Sequence, residues 1–211
     1  NTTGYTVTAR TLNLTNLTPT ITTAAGVTAT IASTISGVDL TKKGTGTLSL
    51  SGSNTYTGTT FIAEGTLNAT KFTNYGVAGS LGNRATDSGW GVTVGILFRG
   101  GTLQYTGSTA QSTNRAIRIS TNGGATIDAS GTGTGTLSFT ATSSPDFFEN
   151  SGNRTLTLTG SNTGDNTFAM AIGEAGGTTS LVKSGNGKWV LTGDNTYTGH
   201  TTINGGILSR S

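Results

Sequence analysis

Residues 42–70 carry the sequence KKGTGTLSLSGSNTYTGTTFIAEGTLNAT, and residues 183–211 repeat it as KSGNGKWVLTGDNTYTGHTTINGGILSRS. The two stretches, named here the first repeat and the second repeat, align without a gap, and 14 of their 29 positions are identical. Self-similarity of this kind is typical of stacked repeat architectures. Weaker echoes, such as GTGTLSFT at residues 133–140, indicate that the intervening chain is built from similar units.

Each repeat has the pattern of short strands separated by turns. Leu48 and Leu50 alternate with Thr and Ser, a period of two that places apolar side chains on one face of a strand. Gly and Asn end each run, and both residue types accept the backbone conformations of tight turns. The residues predicted to face inward are Leu48, Leu50, Ile62, Leu67, Trp189, Leu191, Ile203 and Leu208; the predicted turn residues are Gly52, Asn54, Gly58, Gly193, Asn195 and Gly199; and Tyr56 and Tyr197 are predicted to stack on a neighbouring coil.

The composition favours a thin-cored β-solenoid. The chain has 34 Gly and 48 Thr, with 10% charged and 32% hydrophobic residues, so strands and turns are favoured over helices and over a thick core. Disorder is the competing interpretation, but the net charge of +3 is low and β-branched residues are abundant. At about 20–25 residues a coil, the chain is expected to form about nine short coils of one solenoid over residues 1–211. Residues 1–41 form a strand-rich lead-in, and residues 71–182 form divergent coils and loops.

Several function classes have no support in the sequence. Because Cys is absent, disulfides and thiolate metal sites are excluded. No apolar run is long enough to span a membrane as a helix, so membrane insertion by this segment is not expected, and the start at Asn1 suggests a processed or excised piece. The scattered Lys and Arg residues do not form a nucleic-acid footprint. Lys42, Lys43, Arg115 and Arg118 are predicted to lie on solvated faces of strands.

The strings SGSNTYTGTTFIAEGTL at residues 51–67 and TGDNTYTGHTTINGGIL at residues 192–208 resemble the autotransporter-associated β-strand repeat, also called the passenger-associated transport repeat. This repeat occurs in the passenger regions of Gram-negative autotransporters and in very large bacterial surface proteins. In the second repeat, Trp189 replaces the first Leu of the pattern. The resemblance implies an all-β, right-handed parallel β-helix that is secreted and lies outside the cell or on the outer surface of a Gram-negative-type bacterium.

The predicted function is structural, as a stalk, spacer or matrix element of a secreted surface protein. The expected partners are neighbouring repeat segments or identical subunits placed end to end. One alternative is a fibre-forming subunit that assembles through the open ends of the solenoid, where unpaired backbone groups invite pairing.

A second alternative is an adhesin or carbohydrate-binding module that contacts surface glycans or host or matrix proteins. Phe72, Tyr75 and Trp90 form an aromatic group outside the repeats, and exposed aromatic rings can stack on sugars. The interpretation favoured for them is that they cover a coil end. Ice binding through Thr-x-Thr arrays is disfavoured, because the intervals between the Thr-x-Thr runs vary along the sequence.

No catalytic, cofactor or metal site is predicted. Parallel β-helix enzymes that degrade polysaccharides use clustered carboxylates, yet only Asp146 and Glu149 lie within three residues of each other, with Phe147 and Phe148 between them. That tetrad is interpreted as a loop that closes over the end of a coil. His200 is the only His, so a His-based triad or metal site cannot form. The chain is therefore predicted not to be an enzyme.

Overall fold

The computed structural model describes residues 4–8, 10–16, 19–86, 94–121, 123–143 and 152–211. Within these ranges the regular structure consists of strands alone, and no helix occurs. Among the same residues, nothing has the length and apolar character of a helix that crosses a membrane.

The strands are short and recur throughout the chain. Their bounds are β1 Gly4–Val7, β2 Leu12–Leu14, β3 Thr20–Thr22, β4 Thr28–Ile31, β5 Ile35–Gly37, β6 Leu40–Lys43, β7 Thr47–Leu50, β8 Thr60–Ile62, β9 Thr66–Ala69, β10 Ile96–Phe98, β11 Thr102–Tyr105, β12 Gln111–Thr113, β13 Ile117–Ile119, β14 Ala125–Ala129, β15 Leu137–Phe139, β16 Arg154–Thr159, β17 Asn166–Phe168, β18 Thr179–Lys183, β19 Lys188–Leu191, β20 Thr201–Ile203 and β21 Ile207–Arg210.

The strands stack into a parallel β-solenoid with three faces. The long face is a nine-stranded sheet in the order β1-β4-β7-β9-β11-β14-β16-β18-β20. The second face holds the pair β2-β5 and the sheet β12-β15-β17-β19-β21, and the third face holds β13-β10-β8-β6-β3. Each pair of these strands is parallel, and the chain passes from the long face to the second face, to the third face and back. The nine strands of the long face confirm the prediction of about nine coils.

Apolar side chains at every second position of the strands point inward and fill the axis of the solenoid. Leu48, Leu67 and Leu103 occupy one register column of the long face and are fully buried. Each such side chain contributes about 1.5–3 kcal/mol through burial. Because coils above and below cover it, one apolar residue at every second position is enough for a core, which accounts for the low hydrophobic fraction.

Coil length varies while the register is kept. Thr28, Thr47 and Thr66 share one column of the long face, so the two coils that they delimit are equal in length. The next residue in that column is Thr102, because the connection at residues 71–95 is much longer than the corresponding connection at residues 51–59 of the preceding coil. This lengthened connection, residues 71–95, is named here the insertion. The outer column thus aligns threonines from unequal sequence intervals.

The adjacent outer column of the long face does not repeat Thr. It runs from Ser49 through Asn68 and Gln104 to Asp128. The regular Thr-x-Thr array of ice binders is therefore not formed over these coils.

The two repeats lie on different faces. The first repeat supplies β6 and β8 to the third face and β7 and β9 to the long face. The second repeat supplies β18 and β20 to the long face and β19 and β21 to the second face. The counterpart of β7 in the second repeat is β19. After β7 the chain adds five strands to the long face, the last of which is β18, and it then reaches β19 on the second face. The sequence distance between the two repeats therefore equals five coils and one additional face.

Candidate functional site

Buried Asn side chains bridge three successive coils at two junctions, one in the first repeat and one between the two repeats. Asn54 Oδ1 accepts the N–H of Ile35 from the preceding coil at 2.8 Å, and its Nδ2 donates to the carbonyl of Ser80 in the following coil at 2.9 Å. Asn166 repeats this arrangement, since it accepts from the N–H of Leu137 at 2.8 Å and donates to the carbonyl of Lys188 at 2.9 Å. A carboxamide suits this position because it has both an acceptor and donors.

A buried Lys closes one corner in each repeat. Lys42 Nζ donates to the carbonyls of Lys43, Gly44 and Glu64 at 2.9, 2.6 and 3.0 Å. Lys183 Nζ donates in the same way to Ser184, Gly185 and Gly205 at 2.7, 3.0 and 3.0 Å. Both Lys residues are fully buried, and burial lowers the pKa of each, with Glu64 opposing that shift at Lys42. The three ammonium hydrogens are all satisfied by carbonyls of the corner, one of which, Lys43 O, also accepts the N–H of Thr23 at 3.0 Å.

The prediction that Lys42, Arg115 and Arg118 lie on solvated strand faces is wrong, whereas Lys43 is exposed as predicted. Arg115 is fully buried; its Nε donates to Thr73 O at 3.0 Å, and one terminal nitrogen donates to Gly82 O at 2.9 Å. These carbonyls belong to the insertion, so the guanidinium ties the insertion to the solenoid. Arg118 is 3% exposed within β13.

A Tyr–Thr pair accompanies the Asn in both repeats. The hydroxyls of Tyr56 and Thr60 are 2.7 Å apart, and those of Tyr197 and Thr201 are also 2.7 Å apart. Burial raises the pKa of the Tyr56 phenol well above its ordinary range. The insertion covers Tyr56, because a Cβ at Gly82 would collide with the Tyr56 ring. Tyr56 therefore packs between two coils, whereas Tyr197 is half-buried against the core.

The second repeat has the same geometry but lacks a covering coil among the described residues. Ile62 and Leu67 are fully buried in the first repeat, whereas their counterpart Ile203 is 55% exposed and Leu208 is half-buried. Ile203 was predicted to be a core residue, and the correction has a simple cause: β20 is the last strand of the long face, so no later strand lies over it. The inward residues Leu48, Leu50, Trp189 and Leu191 are buried.

Among the described residues, Asn195 likewise bonds to the preceding coil alone. Its Oδ1 accepts the N–H of Ile172 at 2.8 Å, as Asn54 accepts from Ile35. The structure gives its Nδ2 no partner corresponding to Ser80 O within the described residues, and the side chain is half-buried where Asn54 is fully buried. Asn195 therefore makes the junction to the preceding coil in the same way as Asn54.

Two members of the aromatic group, Phe72 and Tyr75, lie among the described residues, and neither is fully exposed. Phe72 is 4% exposed and contacts Tyr105 and Phe139 edge-to-face, with ring centroids 5.8 and 6.3 Å away. Its prediction as a surface residue is wrong, because the insertion folds this ring into the core. Tyr75 is half-buried, and its hydroxyl accepts the N–H of Ala116 at 3.0 Å. Trp90 lies outside the described residues, as do Asp146 and Glu149.

A cleft of about 400 Å³ opens where the second and third faces meet, beside the insertion. Its lining residues are Val38, Asp39, Thr57, Gly58, Thr59, Phe61 and Arg84. Asp39 Oδ1 accepts the N–H of Thr59 at 2.7 Å, and the Thr59 hydroxyl donates to Val94 O at 2.8 Å. Sequence reasoning missed this cleft, because its residues meet only when coils of different length are stacked.

Metal-binding potential is not seen in the part of the chain that the structure describes. No three His, Cys, Asp or Glu side chains are grouped there so that they could hold an ion. His200, the counterpart of Thr59, is exposed at a turn.

Comparison with known proteins agrees with the repeat geometry. The family model of the passenger-associated-transport-repeat matches residues 40–69 and 181–209, which are the two repeats. A stretch of 143 residues, 67% of the chain, is 41% identical to an autotransporter adhesin, BmaC, of Brucella suis biovar 1 (strain 1330). The chain spans 4% of that relative's length. No solved structure matches the chain.

Proposed function

This chain is a passenger-associated transport repeat protein of the autotransporter passenger type, and from that premise we propose that it is a structural segment of a secreted bacterial surface protein. Its role is that of a stalk or spacer, in which coil stacking gives length and stiffness. The site of action is the outer surface of a Gram-negative bacterium. The proposal includes no catalytic step.

The observation that carries the proposal is the contrast between the two repeats. In the first repeat, a following coil covers Ile62 and supplies the Ser80 carbonyl to Asn54. In the second repeat, the equivalent Ile203 and the Asn195 Nδ2 lack a following coil among the described residues. Since the groups that hold one coil to the next are already in place, a further coil can be added without any change in the repeat.

The long relative supports the same role. The Brucella protein is an autotransporter adhesin, and a chain of this size is a small part of it. A segment that continues its own stacking pattern is suited to be one section of a long passenger. Adhesion itself then belongs to the parent protein or to surface features of such segments.

A test extends the stack beyond the second repeat. Because residue 211 is the counterpart of residue 70, residues 71–121 are fused directly after Ser211. We expect hydrogen exchange to slow at the amides of Ile203 and of the residues around Asn195, because the added chain covers them. A matched control carries the same residues in scrambled order. Unchanged exchange in the ordered fusion would contradict the stalk role.

The fibre-forming alternative uses the same open end but a different partner, a second copy of the chain. Negative-stain electron microscopy and sedimentation of the unextended chain over a range of concentrations separate the two. Single short rods at all concentrations favour the stalk segment. Fibres that lengthen with concentration favour self-assembly.

A further inference from the structure

The cleft beside the insertion presents a balanced set of polar and apolar groups. Val38 is 55% exposed and offers an aliphatic surface. Phe61 is half-buried, and the Arg99 guanidinium lies over its ring at 5.6 Å from the centroid, so the wall offers only the part of the ring that Arg99 leaves uncovered. Asp39 uses Oδ1 for the Thr59 N–H, which leaves Oδ2 as an acceptor in the cleft wall among the described residues. Arg84 also lines the cleft; it is 7% exposed, and its Nε donates to Thr86 O at 3.0 Å.

The fold itself does not require these side chains. When the gapless alignment of the two repeats is extended to the residues just before them, Thr179 stands for Val38 and Ser180 for Asp39; within the repeats, His200 stands for Thr59 and Thr202 for Phe61. The backbone geometry is the same, because a Cβ at Gly58 would meet Val38 O and Asp39 Oδ1, and one at Gly199 would meet Thr179 O and Ser180 Oγ. The corner is therefore built equally well without the aromatic ring, the carboxylate or the aliphatic side chain.

The position of the cleft also points to recognition. The coil that follows it is lengthened by the insertion, and Arg84 comes from that insertion. In solenoids, lengthened loops on one side of the stack are where binding sites are commonly placed. The volume of about 400 Å³ lies in the range of small-molecule sites, about 300–1,000 Å³.

We propose that this cleft binds a neutral pyranose unit of a surface polysaccharide or glycan. The apolar C–H face of the sugar packs on Phe61 and Val38, because an aromatic ring gains both contact area and electrostatic attraction from such a face. The hydroxyls donate to Asp39 Oδ2 and bond with the exposed Thr57 hydroxyl. The Asp39 carboxylate accepts from sugar hydroxyls and repels the carboxylate of an acidic sugar, which favours a neutral one. This proposal does not depend on the stalk role.

The experiment is saturation-transfer NMR on the full chain with methyl glycosides of glucose, galactose, mannose and N-acetylglucosamine, and with methyl glucuronide as an anionic probe. We expect transfer to at least one neutral glycoside. Asp39→Asn keeps an oxygen for the Thr59 N–H and removes the charged acceptor, so binding should weaken about tenfold. Phe61→Thr installs the residue of the second repeat and should weaken binding by a similar factor.

The matched control is Asp194→Asn, which removes an exposed carboxylate remote from the cleft and should leave binding unchanged. Far-UV circular dichroism and thermal melting verify that each variant is folded, so loss of the sugar signal is separable from loss of the solenoid. The proposal is overturned if no neutral glycoside receives transfer, if the glucuronide alone binds, or if both cleft variants bind as the parent chain does.

Discussion

Replacement of Asn54 by Leu is the sharpest test of the coil junction. The change keeps the branched outline of the side chain, with larger methyl groups in place of the amide atoms, but removes two buried hydrogen bonds, one from the Ile35 N–H at 2.8 Å and one to the Ser80 carbonyl at 2.9 Å. Each buried backbone group left without a partner costs about 1–3 kcal/mol, so the free energy of unfolding should fall by about 2–6 kcal/mol. Asn195→Leu removes one bond at a half-buried position and should cost about 1 kcal/mol.

The two variants are compared by urea unfolding followed by circular dichroism, with hydrogen exchange of the Ile35 amide as the local measurement. Repeat arrays can unfold in parts, so the local measurement is needed beside the global one. We expect the Ile35 amide to lose protection in Asn54→Leu and to keep it in Asn195→Leu. Equal destabilisation by the two changes, or an Asn54 variant as stable as the parent chain, would refute the bridging role.

Two further predictions concern charged groups. Lys42→Met removes three hydrogen bonds to corner carbonyls and should lower the free energy of unfolding by about 2–4 kcal/mol, whereas Lys43→Met at the exposed neighbouring position should change it little; equal urea midpoints would contradict the corner role. Hydrogen bonds from the Thr198 N–H, the Thr179 N–H and the Thr198 hydroxyl lower the pKa of Glu174, so its stabilising effect is present above the ordinary Glu pKa of about 4.3 and is lost as the pH falls through the lowered value. The melting temperature of the parent chain should therefore drop more on acidification than that of Glu174→Gln, and identical pH profiles would contradict this.

The repeated strands and their inward residues were predictable because the relevant signal is local. Leu48 and Leu50 alternate with polar residues, and the spacing of Gly and Asn marks the turns. Stacking of like strands then follows from the recurrence itself. The partial exposure of Ile203 and Leu208 could not be predicted from the pattern, because it depends on which coil lies next to them.

The buried cations escaped sequence analysis for a physical reason. A hydrophobicity pattern places Lys and Arg in solvent, but turns in a solenoid leave carbonyl groups inside the corners that need donors. Lys42 and Arg115 satisfy such carbonyls, and neither the corner nor the insertion that presents them is visible in a short window of sequence. The core packing of Phe72 was not visible in the sequence either, since its partners Tyr105 and Phe139 come from later coils.

The cleft is the least predictable feature. Asp39, Phe61 and Arg84 lie far apart in the sequence and come together because successive coils stack in register. Sequence comparison of the two repeats does show that the positions of Asp39 and Phe61 differ while the turn Gly is shared. The difference can be interpreted only once the structure shows that these positions line one cleft.

The unequal placement of the two repeats has a consequence for any longer array built with the same repeat period. Each unit would advance along the stalk by five coils and one face, about 26 Å at the spacing of adjacent strands. The cleft of each successive unit would lie on the next of the three faces, so three units complete one turn around the axis. The clefts would therefore follow a helical path around the stalk. A cell surface or polymer approaching from any direction would meet one of them within three units.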